Sequence, residues 1–107
     1  MSVNKVFLMG HVGKDPEIRY PEKDHPLAFV SLATNEYRGI AGQEVTEWHN
    51  LVMSGQHAVT AERYIRKGSM IFVEGRLSTR EYEDRMKIVR RRTEIIVEKL
   101  EIIGRKQ

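Results

Sequence analysis

The residue pattern predicts an all-β domain: a five-stranded Greek-key barrel with one helix between strands three and four. Three observations predict it. Five segments read as strands, the third and fourth of them alternating with period two. One segment between the third and fourth repeats small and apolar residues at helical spacing, and glycines punctuate the end of the first strand. An SH3-like barrel and an α+β sandwich fit the same element order, so at this level the topology stays open.

In order, residues 3–12 form a short apolar strand with Gly10 and Gly13 near its end, where glycine marks a bulge or a bend at a barrel corner. Residues 14–26, with Pro16, Pro21 and Pro26 among several charges, read as a loop. Residues 27–35 are the second strand, with Leu27, Phe29 and Ser31 opposite Ala28, Val30 and Leu32. Two glycines make residues 36–44 a long, mobile hairpin loop. Residues 46–53 are the third strand, carrying the only tryptophan. Trp48, Asn50 and Val52 share one face; Glu47, His49, Leu51 and Met53 share the other.

Ser54-Gly55 breaks that strand, and Ala58, Ala61 and Ile65 then fall on one helical face, with Lys67-Gly68 as the C-terminal signal. Residues 69–82 return to period two, with Ile71, Val73 and Leu77 inward and Arg76, Arg80 and Tyr82 on the other side. Residues 83–87 are a charged turn. Residues 88–103 are the last strand, interrupted by Arg90-Arg91-Arg92, and 104–107 form a short basic tail. One helix and five strands with glycine bends fit the OB-fold.

The chain has 107 residues, enough for one core and one domain, spanning 1–103. No cysteine is present, which rules out disulfides and thiolate metal sites and points to a reducing compartment. No basic leader precedes a long apolar run, so no secretory signal is expected, and no stretch is long and apolar enough to span a membrane. Residues 1–53 hold 5 Lys/Arg against 7 Asp/Glu, whereas 54–107 hold 13 against 8. That asymmetry suits a polyanion binder, although a solvated charged face gives the same count.

Catalysis finds no support. His11, His25, His49 and His57 are scattered without metal-ligand spacing, so no metal, cofactor or catalytic residue is expected. Gly10-His11-Val12-Gly13-Lys14 has the wrong spacing for a phosphate loop, and no Ser or Thr follows its lysine. Binding finds more. Tyr37, Trp48 and Tyr82 each sit on or beside a strand or hairpin, with Arg38, Arg76 and Arg80 close in sequence. Rings that stack on any base, beside cations that track phosphates, are what a single-strand groove requires. Against this, a lone tryptophan is most often a core anchor, and on its own stretch that reading leads for Trp48.

Several blocks settle on one resemblance: Val3-Asn4-Lys5-Val6, Asp15-Pro16-Glu17-Ile18-Arg19-Tyr20, Ser31-Leu32-Ala33-Thr34, Thr46-Glu47-Trp48-His49, Tyr64-Ile65-Arg66-Lys67-Gly68-Ser69 and Val73-Glu74-Gly75-Arg76-Leu77. In this order they resemble the bacterial-type single-stranded DNA-binding protein family. The resemblance implies an OB-fold that self-associates, usually as a homotetramer, and protects single-stranded DNA during replication, recombination and repair. The implied location is the bacterial cytoplasm, at the nucleoid. The family's stacking rings carry over to Tyr37, Trp48 and Tyr82, two of them tyrosine where tryptophan is usual. Backbone contacts carry over to Lys5, Arg19, Lys67, Arg76 and Arg80, and a subunit-interface role to His49.

The departures are an aromatic missing at Ser54 and basic residues missing at Asn50, Gln56 and Glu81, for which Arg90-Arg91-Arg92 is the expected compensation. The family's acidic C-terminal peptide is absent from this sequence, so tail-mediated recruitment of repair enzymes is not expected. Two alternatives stand beside this reading. One is a dimer resembling primosomal replication protein B, which Trp48-His49 and the Tyr64–Ser69 block oppose. The other is an OB-fold assembly module with weak DNA binding. Stacking and phosphate contacts alone do not separate DNA from RNA.

Overall fold

The computed structural model describes residues 1–105. Its elements are β1 (Val6–Val12), β2 (Glu17–Glu22), β3 (His25–Arg38), β4 (Gln43–Ser54), α1 (Gly55–Tyr64), β5 (Ser69–Glu83) and β6 (Val89–Arg105). The ladder order is β1-β5-β6-β4-β3-β2, and β1 also pairs with β3 through His11↔Ala33 and Val12↔Leu32. Five strands (β1, β5, β6, β4, β3) therefore close on themselves, as a five-stranded barrel requires. Among the described residues the only parallel pairing is β4 with β6, at Leu51↔Ile95 and Val52↔Ile96.

Alternation decides what fills the barrel. Val30 and Leu32 of β3, Leu51 and Met53 of β4, Ile71 and Val73 of β5, and Ile95 and Val97 of β6 all point inward and are buried. From α1, Ala58 and Ala61 add small buried side chains, and Ile65 just beyond it is fully buried. The helix packs on β3 and β4. The last turn closes with Ile65 N–H donating to the Ala61 carbonyl, before Lys67 is reached; Gly68 then donates to the Val12 carbonyl at 2.8 Å.

Four sequence expectations change. The proline-rich loop contains β2, an edge strand paired only with β3, and Pro21 lies in its irregular stretch between Arg19 and Glu22. An edge strand tolerates a residue without an N–H, which is why Pro21 does not prevent pairing. The mobile loop at 36–44 is largely ladder: pairing runs out to Arg38↔Gln43, and only Gly39 to Gly42 turn, both glycines at positive φ. Leu77 is half exposed (49%) although its cross-strand partner Ile95 is buried, so it marks the rim where β5 leaves the core. The last strand continues through Gly104 and Arg105, which pair with Met70 and Ser69. Lys106 and Gln107, the rest of the expected tail, lie outside the described residues.

Candidate nucleic-acid interface

Cross-strand register puts one set of side chains on the outer face of β3, β4, β5 and β6. Tyr37 faces Glu44, Ala33 faces Trp48, Ser31 faces Asn50 and Phe29 faces Val52. Val52 aligns with Ile96, which pairs with Arg76; beyond it Ser78 faces Glu94, Arg80 faces Arg92 and Tyr82 faces Arg90. Paired residues share a face. The predicted rings thus lie on one surface, and all are open: Tyr37 is 75% exposed, Trp48 59% and Tyr82 40%. The core-anchor reading of Trp48 fails because its parity is opposite to that of Leu51 and Met53, which fill the barrel.

Trp48 is nevertheless held. A methyl group added at Gly13 would overlap its six-membered ring, so the indole packs against bare backbone just after β1. Gly13 N–H donates to the Ser31 carbonyl at 3.0 Å, fixing that floor to β3. Tyr82 carries the Arg80 guanidinium over its ring at 5.7 Å, a cation–π arrangement.

The expected cations divide sharply. Arg80 donates through Nε and Nη2 to the two carboxylate oxygens of Glu94, both at 3.1 Å, and Glu94 is only 4% exposed. Arg19 pairs with Glu17 at 2.7 Å and lies 5.1 Å from the Phe29 ring centre. Lys5 bonds Glu74 at 3.0 Å and Glu98 at 3.4 Å; the Glu74 hydrogen bond in particular holds its ammonium above the usual lysine range. Arg38 has the opposite parity to Tyr37 and pairs with Glu36 and, at 3.6 Å, with Glu47, so it does not join the aromatic face. Among the described residues, Arg76 and Lys67 have no acidic partner; the Lys67 backbone N–H donates to Asp15 at 2.8 Å. His49 points to the inner side of β4, its Nε2 2.8 Å from Thr34 Oγ1.

Sequence reasoning missed the floor of this surface. Phe29, Leu27, Val52 and Ile96 line an open cleft of about 470 Å³ whose rim is Arg80 and Glu94. Phe29 shares parity with Tyr37 and Ser31, so the alternation of the second strand carried that signal. The groups of acids and histidines needed to hold a metal ion are absent among the described residues.

Comparison with known proteins agrees with this geometry. The single-strand binding protein family matches residues 3–103. The single-stranded DNA-binding protein of Bacteroides thetaiotaomicron is 39% identical over 99% of this chain and 69% of its own length. Among solved structures, the Plasmodium falciparum SSB in complex with ssDNA superposes with a TM-score of 0.83 at 33% identity, covering 99% of this chain and 97% of that one. The chain belongs to the single-strand binding protein family.

Proposed function

We propose that the chain binds single-stranded DNA without sequence preference and protects it in replication, recombination and repair. A member of this family holds a strand rather than transforming it. The observation that carries the reading is one outer sheet face bearing three open rings, Tyr37, Trp48 and Tyr82, beside cations. Stacking supplies roughly 1–3 kcal/mol per base and needs no base identity. Arg76 and Lys67 neutralise phosphates with no acid to displace; Lys5, Arg19 and Arg80 must first share or surrender a carboxylate. Arg38 acts at the hairpin edge. Residues 1–103 form the binding domain, in the cytoplasm.

The protein acts as an assembly, a homotetramer with a dimer as the alternative. Phe7 and Met9 support this: both sit on the outer face of β1, 61% and 53% exposed, far more apolar surface than a strand usually leaves in water. His49, held on Thr34, serves a subunit contact.

Anisotropy of a labelled oligo-dT, titrated with wild type and Trp48→Ala, tests the reading. The variant, changed at an exposed ring, is expected to lose about 1–3 kcal/mol of affinity. Equal affinity would contradict the role given to Trp48. Sedimentation of the same samples separates tetramer, dimer and monomer.

A further inference from the structure

The arginine run 90–92 is split by strand alternation. Arg91 faces the side of β6 away from the rings and pairs with Glu81 at 3.5 Å. Arg92 and Arg90 face the ring side, across from Arg80 and Tyr82. Arg90 is spent on the hairpin turn, its Nε donating to Asp84 at 3.0 Å. Arg92 differs. Its Nη2 donates to Asn50 Oδ1 at 2.7 Å, and its Nε stands 3.8 Å from Glu94, which already holds Arg80 by two hydrogen bonds.

We propose that Arg92, braced by Asn50, is a phosphate-binding residue for the strand segment whose base stacks on Trp48. The proposal rests on the single-strand reading above. Three features support it. Asn50 is two residues from Trp48 on the same face, about 7 Å along the strand, so the brace sets the guanidinium beside the ring. One carboxylate, Glu94, serves two guanidiniums, so charge is left over there. Arg92 and Glu94 also line a small polar cleft of about 110 Å³ with Lys14 and Glu17, and Arg19 pairs with that same Glu17. Lys14, Arg19, Arg80 and Arg92 thus stand against two carboxylates, an excess that suits a phosphodiester.

A guanidinium offers five N–H donors, and Arg92 commits one firmly, leaving a pre-oriented fork for phosphate oxygens. Preorganisation of this kind lowers the ordering cost of binding. Arg91 gains nothing from its neighbours on the far face.

The test is oligo-dT titration across a salt series with wild type, Arg92→Ala, Arg92→Lys, Asn50→Ala and Arg91→Ala, each checked for an unchanged circular dichroism spectrum. Arg92→Ala is expected to weaken binding about tenfold at low salt and to reduce the log–log salt slope by about 0.7, one phosphate contact on a single strand. Arg92→Lys keeps the slope but loses part of the affinity. Asn50→Ala weakens binding with the slope retained, and Arg91→Ala changes neither. Wild-type binding matched by Arg92→Ala in affinity and slope overturns this proposal and leaves the single-strand reading standing. Failure of wild type to bind at low salt overturns both.

Discussion

Trp48 owes its place to two short-range facts: its parity in β4 turns it outward, and the missing side chain at Gly13 gives its ring a floor. Gly13→Ala is therefore expected to lift the indole without disturbing the core. Its emission should shift to longer wavelength, and oligo-dT affinity should fall while thermal unfolding changes little. The second residue-scale feature is Glu94, a nearly buried carboxylate on the face proposed to take a polyanion. Glu94→Gln would free Arg80 and lessen repulsion. The expected result is tighter binding at low salt and a salt slope steeper by about 0.7, read from the same titrations. Inside the barrel the logic reverses. Leu51 is fully enclosed, so Leu51→Ala should cost roughly 2–5 kcal/mol in denaturant unfolding, through lost burial and the cavity left behind.

At the scale of elements, the β5–β6 hairpin is held open by its turn rather than by a core. Asp84 Oδ1 accepts from the Met86 and Ile88 N–H groups at 2.9 and 3.0 Å, and Oδ2 accepts from Arg90. The Ile88 N–H most of all, then Arg90, lowers the Asp84 carboxyl below the ordinary aspartate value. A depressed value means the ionised form stabilises the turn. That contribution is complete above the unfolded value, near 3.9, and is lost as pH falls through the folded one. The protection factor for amide exchange at Ile88, taken against the intrinsic rate at each pH, is expected to be high at neutral pH and to fall below about pH 4, and Asp84→Ala should show the low protection at every pH. This hairpin also shows where sequence stopped being legible. Ladders that leave the barrel need no apolar face, so the 36–38 and 43–45 pairing left no mark in hydrophobic periodicity, and an apolar Leu77 at the rim reads the same in sequence as a buried one. β2 was hidden for a different reason, since prolines argue against strands except at an edge, and being an edge is a property of the whole sheet. What alternation could express, it did: the inward and outward sides of β3, β4 and the barrel half of β5 follow the residues one by one.

For the whole molecule, the basic excess of the second half overstates the free charge available to a strand. Arg80, Arg90 and Arg91 of that half stand beside carboxylates, as do Lys5, Arg19 and Arg38 of the first half, which composition does not reveal. Tyr37, Trp48 and Tyr82 were legible as candidate stacking rings because each sits at a strand or hairpin beside arginine; their sharing of one face needed the register of four strands. The proposed binding accordingly leans on stacking more than on ion release. The most direct measurement is Trp48 fluorescence during titration with oligo-dT, at low and high salt, with duplex DNA as competitor. Saturable quenching that survives the duplex and weakens only moderately with salt is the expected result. Unchanged emission at low salt would contradict the account, because a strand bound across this face cannot leave its one exposed indole untouched.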